Sequence, residues 1–344
     1  MASSAGREGV NKQCIGLGMG LLLMAALIFP AEPSAAPYYE GKMITIIVGA
    51  TPGGGYDRMA RLLAKHYPKH LPGKPSFIVQ NLPGANGMIA ANYLYNVGKP
   101  DGLSLLATHK SLVFMQILKA GGTKFDVRRF GWIGSSAADA EILVIRSDLP
   151  YKTIDELIKS KKKIFLGGAG ATAPNSLLSN LARDFIGLNI ERIDYPGGAE
   201  ILLAIERKEL DGLFSPYNTI NPHIKRGLVR PLLRTRVTAP GIEHLPVNED
   251  LATDAKGRTI MAIMGSTAEM GRIFVTPPKT PDHLLRLLRE GFANVLKDRE
   301  FIADAEKMQM ELKYLSDKEC LNLVHYMFNQ PPEIIEVFDK YIKF

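Results

Sequence analysis

The sequence predicts an α/β protein built as two similar series of strands and helices, each a mostly parallel sheet flanked by helices, followed by a helical tail. Three observations carry this. Short apolar runs alternate with segments of helical period along most of the chain. The connections are short, and several strand-to-helix turns are rich in glycine. The length of 344 residues, with 46% apolar content, suffices for one large or two medium domains, each with its own core.

Taken in order, the run MITIIVG at 43–49 reads as a buried strand. A helix is expected over 57–70, where Met59, Leu62, Leu63 and His66 recur at helical spacing. A strand at 76–80, a helix at 85–96 and a strand at 103–108 follow. Right-handed crossovers join parallel strands of this kind. The second series reads as strand 142–145, helix 154–160, strand 163–166, helix 174–186, strand 192–195, helix 199–206 and strand 210–214. A short helix near 222–226 and a strand at 229–233 close it. Over 235–270 periodic signals are few, so loops and a short strand are expected. Residues 271–275 read as a strand. Helices are expected over 281–296, 300–308 and 317–341, the last broken at Pro331 and Pro332.

Residues 1–36 have the three-part layout of a secretory signal peptide. Arg7 and Lys12 give a positive start, residues 15–29 are apolar and uncharged, and Ser34, Ala35 and Ala36 offer small side chains for cleavage near Ala36. The apolar stretch falls short of the roughly 20 residues a membrane span needs. Cys14 precedes that stretch, badly placed for lipid attachment, and leaves Cys320 alone after processing. Neither an internal disulfide nor a cysteine-rich metal site is expected. The formal net charge is +7, with basic residues scattered. The run Lys159, Lys161, Lys162 and Lys163 reads as a solvated helix end, so no nucleic-acid partner is expected.

The chemistry concentrates in the glycine-rich turns. The first is Thr51, Pro52, Gly53, Gly54, Gly55, Tyr56 and Asp57. Its glycines let the backbone approach a ligand, and the helix that follows aims free N–H groups at the turn, which favours an anion. Asp57 is placed to cap that helix. The second turn runs from Asn81 to Gly87 and carries Asn86. The third holds Ala169, Gly170, Ala171 and Thr172, and a fourth holds Tyr195, Gly198 and Ala199. In open α/β sheets, ligands sit beyond the carboxyl ends of strands, where all these turns fall. One such turn alone is more often a tight connection. Several in both halves point to a binding cleft.

Catalytic readings find little material. The first turn lacks the GK[ST] ending of a phosphate loop and the GxGxxG spacing, and no GxSxG elbow occurs. His66 and His70 are four apart, but Pro68 lies between them and no glutamate follows His66, so both read as surface histidines near a helix end. His109, after the third strand, is the histidine expected near the cleft, and His223 reads as a helix-start or packing residue. No catalytic residue, cofactor or metal is expected.

At these residues the chain resembles the periplasmic substrate-binding proteins of tripartite tricarboxylate transporters, the Bug family. The segments PGGGYDRMAR (52–61), QNLPGANG (80–87), KPDGLSLL (99–106), GGAGATAPNSL (167–177), DYPGGAE (194–200), ELDGLF (209–214) and NPHIKRG (221–227) stand in the family's order. The resemblance covers roughly 40 to 330. It implies a two-lobed periplasmic binding protein of type II, a Venus flytrap, with lobe 1 from 37–140 plus 271–344 and lobe 2 from 141–270. The chain would cross near 138–142 and 270–274. It implies a ligand carboxylate held by backbone amides and waters of the turn at 52–57, which carries Gly53, Gly54, Gly55, Tyr56 and Asp57, and of the second-lobe turns, with Asn86, His109, Tyr195 and Ser215 nearby. Three departures bear on specificity. Tyr56 replaces a small hydroxyl residue. Ala171, Ala173 and Ser176 stand where polar residues and a histidine are common. Ser215 stands where many members carry an acid, which implies less suitability for amino acids and more tolerance of a second carboxylate. The implied role is capture of a small organic di- or tricarboxylate for the membrane subunits of such a transporter, by a monomer in the periplasm that is not an enzyme. A ligand-dependent partner of a membrane sensor kinase is the alternative.

Overall fold

Two mixed sheets flanked by helices build the protein in this computed structural model, which describes residues 37–108, 110–170 and 173–341. The expected signal peptide at 1–36, with Cys14, lies outside the described residues, as do His109, Ala171 and Thr172. No helix among the described residues is long and apolar enough to cross a membrane.

The first series is β1 (Met43–Val48), α1 (Gly55–His66), β2 (Ser76–Asn81), α2 (Met88–Val97), β3 (Ser104–Thr108), α3 (Ser111–Ile117) and β4 (Gly131–Ser135). The second is β5 (Glu141–Arg146), α4 (Ile154–Ser160), β6 (Ile164–Gly168), α5 (Pro174–Ile186), β7 (Ile190–Asp194), α6 (Gly198–Glu206), β8 (Gly212–Pro216), α7 (Tyr217–Lys225), β9 (Val229–Arg234) and α8 (Ala255–Glu269). The tail is β10 (Ile273–Thr276), α9 (Asp282–Val295), α10 (Arg299–Lys307), β11 (Leu315–Ser316), α11 (Asp317–Phe328) and α12 (Pro332–Tyr341).

The strand orders are β11-β4-β10-β3-β1-β2 and β7-β6-β8-β5-β9. In the first sheet β1, β2, β3 and β4 point one way, and β10 and β11 run against them. In the second, β5 alone runs against β6, β7, β8 and β9. Each sheet is therefore mostly parallel, as expected, with one antiparallel strand lodged in its interior. Those two strands, β5 and β10, are the ones on which the chain arrives after leaving the other sheet. Central strands must be apolar on both faces. Accordingly Ile44, Ile46, Ile47 and Val48 of β1 are all buried, each contributing about 1.5–3 kcal/mol through burial.

Helix α1 stops at His66, short of the expected 70. Residues Tyr67–His70 tighten into a 3₁₀ turn because Pro68 has no N–H to donate. The larger difference lies at 235–270, where loops were expected and α8 stands instead. Gly257 and every residue from Ile260 to Ala268 are buried. A helix buried on all sides has no polar face, so no amphipathic period marks it in the sequence. Helix α3 and strands β4 and β11 were likewise not anticipated. Helix α8 packs against α5 and also against α11 and α12. One continuous apolar cluster thereby includes Leu143 and Leu166 of the second sheet, Ile260 and Ile263 of α8, and Trp132 of the first sheet. Trp132 is fully buried, and its indole N–H donates to the Val127 carbonyl at 2.9 Å.

Candidate functional site

The antiparallel strands decide which side chains reach the carboxyl ends of the parallel ones. On β10, Ile273 lies opposite Thr108, the last residue of β3, and opposite Ser135, the last of β4. Arg272, one residue earlier, is therefore delivered to the carboxyl ends of the parallel strands of the first sheet. On β5, Glu141 lies opposite Pro216, the last residue of β8. Glu141 and the preceding Asp139 thus come to the same edge of the second sheet.

At the first turn Gly53 takes φ +83°, open to glycine and costly for other residues. Gly54 is the N-cap of α1 and offers no side-chain cap, and Gly53, Gly54 and Gly55 are exposed. Asp57 does not cap its helix as expected. Its Oδ2 accepts from the Gly53 N–H at 2.8 Å and from Arg61 Nε at 2.9 Å, and Oδ1 accepts from Asn81 Nδ2 at 2.9 Å. Burial opposes its ionisation, but these three donors hold the carboxyl below its ordinary pKa. Asp57 therefore braces the turn from behind, and Gly54, as N-cap, gives the start of α1 no side-chain cap. A Cβ on Gly55 would lie 3.4 Å from Arg272 Nη2. The Arg272 guanidinium has no ion-pair partner among the described residues.

Tyr56 is half-buried against the core of the first sheet. Burial raises its hydroxyl pKa, Asp139 and Glu141 add to the rise, and Arg272 opposes it. The ring therefore belongs to the charged group at the sheet edges. Lys110 Nζ meets Asp139 Oδ2 at 3.1 Å. Glu141 is 6% exposed, and burial pushes its carboxyl up to about 7, with Lys110 lowering and Asp139 raising it.

In the second turn Gly84, Ala85, Asn86 and Gly87 all have positive φ. For Ala85 and Asn86 that costs roughly 1–3 kcal/mol each. Asn86 stands on the wall of a part-open cavity of about 70 Å³. Lys110, Glu141, Thr235 and residues of α3, α5 and α8 complete the wall. Thr235 Oγ1 is buried with no hydrogen-bond partner among the described residues. On the other side, an open cleft of about 390 Å³ is lined by Gly55, Arg58, Arg272, Asn218 and Thr219, with residues 308–311.

Of the expected site residues, Gly55 lines the open cleft, Asn86 lines the cavity, and Tyr56 joins the charged group between Asp139, Glu141 and Arg272. Gly53, Gly54, Asp57, Ala169, Gly170, Tyr195, Gly198, Ala199 and Ser215 line neither space. Ala169, Gly198 and Ala199 are exposed at the starts of α5 and α6, and Gly170 takes φ +94°. Tyr195 packs on the second core, its hydroxyl 3.5 Å from Glu209. Ser215 is buried opposite Ile142 and donates to the Pro216 carbonyl, so it shares the sheet face opposite to Glu141's.

Arg272, Lys110, Asp139 and Glu141 escape a reading that looks only at strand-to-helix turns. For Arg272, Asp139 and Glu141 the signal is a charge at the start of an apolar strand, whereas Lys110 stands at the N-cap of α3. His66 is not at the surface but buried, its Nε2 3.0 Å from Asp304, and His70 Nε2 is 3.0 Å from Asp298. The donor atoms of His66, Asp298 and Glu300 lie within 4.8 Å of one another, yet Lys69 already bridges both carboxylates at 2.8 and 2.6 Å. His223 sits in the last turn of α7, not at a helix start.

A family model described as tripartite tricarboxylate transporter family receptor matches residues 59–339. A UPF0065 protein in the TAR-I ttuE–ttuC' intergenic region of Agrobacterium vitis is 27% identical over 283 residues, 80% of this chain and 78% of that one. A TctC solute binding protein from Polaromonas, solved with no ligand, superposes with a TM-score of 0.71 at 20% identity, covering 88% of this chain and 99% of that one. Two proteins of Rhodopseudomonas palustris share the fold. One, with adipate, has a TM-score of 0.61 at 21% identity, covering 88% of this chain and 96% of its own. The other, MatC with bound malate, has 0.59 at 16%, covering 88% and 99%.

Proposed function

This chain belongs to the tripartite tricarboxylate transporter receptor family, and from that premise we propose that it captures a small organic carboxylate in the periplasm and presents it to the membrane subunits of such a transporter. One observation carries the carboxylate: the exposed N-terminus of α1, which has no side-chain cap at Gly54, stands beside the Arg272 guanidinium, which makes no ion pair among the described residues. Helix-terminal N–H groups and an arginine together make an anion site, and each charge-assisted bond is worth about 1.5–3 kcal/mol. That adipate and malate occupy relatives of the same fold supports the ligand class.

In this reading the carboxylate rests on N–H groups of Gly54, Gly55 and Tyr56 and on Arg272. Gly53 and Asp57 fix the turn, and Asn86 and His109 add side-chain contacts. The turns at Ala169, Gly170, Ala171 and Thr172 and at Tyr195, Gly198 and Ala199, with Ser215, approach from the second lobe. The lobes are 37–140 plus 271–344 and 141–270, and the two crossings between them act as the hinge. Ligand binding selects the closed arrangement that the membrane partner recognises. The chain works as a monomer after cleavage near Ala36, and nothing is turned over.

Thermal unfolding of residues 37–344 against mono-, di- and tricarboxylates, with sugars and amino acids as controls, tests this. A ligand that binds only the folded state raises Tm. We expect a rise with carboxylates alone, and a loss of affinity of about 10- to 100-fold in Arg272→Gln. A rise with sugars or amino acids only would reject the carboxylate assignment.

A further inference from the structure

We propose that the part-open cavity bounded by α3, α5 and α8 receives the apolar body of the ligand, so that this protein selects monocarboxylates carrying a compact apolar group over dicarboxylates such as those in two proteins of the same fold. The inference rests on the carboxylate reading above and narrows it. Phe114, Leu177, Leu178 and Met264 supply the apolar wall. An apolar cavity of about 150 Å³ takes up a benzene ring, so 70 Å³ has room for roughly three or four non-hydrogen atoms. That matches a short branched alkyl group and is too small for a six-membered ring.

The charges at the cavity point the same way. Lys110 is paired with Asp139, and Glu141 faces the cavity as a second acid with no basic partner of its own at hydrogen-bond distance among the described residues. A second carboxylate on the ligand would lose its hydration against an apolar wall and meet the Glu141 carboxylate with like charge, while the Lys110 ammonium on that wall is already answered by Asp139. Ser215, lacking a charge, suggested room for a second carboxylate, but Glu141 occupies the start of the neighbouring strand. An apolar group meets no such penalty and gains from every contact removed from water. Thr235 Oγ1, 1% exposed and without a partner among the described residues, offers one neutral hydrogen bond at the cavity wall. A ligand with a single hydroxyl on its apolar body satisfies it.

Isothermal titration of residues 37–344 at pH 8 with 4-methylpentanoate, 3-methylbutanoate, adipate, malate and citrate decides the matter. One of the first two is expected to bind at least tenfold more tightly than adipate, malate or citrate. Glu141→Gln is expected to strengthen adipate and narrow that gap, and Ala268→Leu, which intrudes on the cavity, to weaken the apolar ligands selectively. Tighter binding of adipate, malate or citrate by the unaltered protein overturns the inference and leaves the carboxylate reading standing. No binding of any of the five overturns both.

Discussion

Glu141 couples the site to the stability of the fold. Its carboxyl is raised to about 7 by burial, whereas the unfolded chain ionises near the ordinary 4.5. The unfolded state therefore gives up its proton first, and stability is lost as pH rises from about 4.5 through 7, then levels off. Lys110, Asp139 and Tyr56 are the charged or titratable groups that face it, and the lysine only partly offsets the burial. Glu141→Gln removes the titration. Urea unfolding should show the variant more stable than the parent by up to about 3 kcal/mol at pH 8, with the difference gone at pH 4. Ala85 is a second case, a non-glycine residue at φ 45° inside a left-handed run. Ala85→Gly should raise the stability read by urea unfolding by about 1 kcal/mol, since relief of strain outweighs the added chain freedom. At this scale the glycine turns were legible, because positive φ and close approach demand particular residue types. Arg272 and Glu141 were not, because their position depends on strand direction, which the sequence of one strand does not reveal.

Among the elements, α8 shows the limit of periodicity most clearly. Its burial on every side erases the polar face that would have announced it, while α5 and α4, each with one solvated face, have the bounds expected for them, 174–186 and 154–160. Gly257 lets α8 lie directly on α5: a Cβ there would come within 2.5 Å of the Phe185 ring. Gly257→Ala should destabilise by about 1–3 kcal/mol through overpacking, even though alanine is the better helix former. A lowered urea midpoint with an unchanged slope is the expected result. Helix α11 is bounded by a capping box, with Ser316 Oγ accepting from the Glu319 N–H at 3.3 Å and Glu319 Oε2 accepting from the Ser316 N–H at 2.8 Å. The Ser-x-x-Glu spacing at 316–319 is a signature that a closer reading of the tail finds in the sequence alone.

Across the whole molecule, the alternation of apolar runs and helical segments was enough to foresee two mostly parallel sheets. It did not foresee that one apolar cluster runs through both. Asn218 Nδ2 at the start of α7 donates to Glu311 Oε2 at 2.7 Å, joining the part of the chain that carries the second sheet to the segment before β11. Asn218→Ala removes that tie, and small-angle scattering without ligand should report a larger radius of gyration. The single tryptophan gives the molecule a built-in optical gauge. Trp132 is enclosed in the first sheet, opposite Val275 on β10, so its emission is blind to events confined to the second. Heating followed both by emission colour and by far-ultraviolet dichroism therefore compares one half of the protein with the sum of both. If the shared cluster binds the halves into one cooperative unit, the two curves coincide. A red shift that lags the dichroism would mean that the second sheet melts while the tryptophan still sits in its dry surroundings.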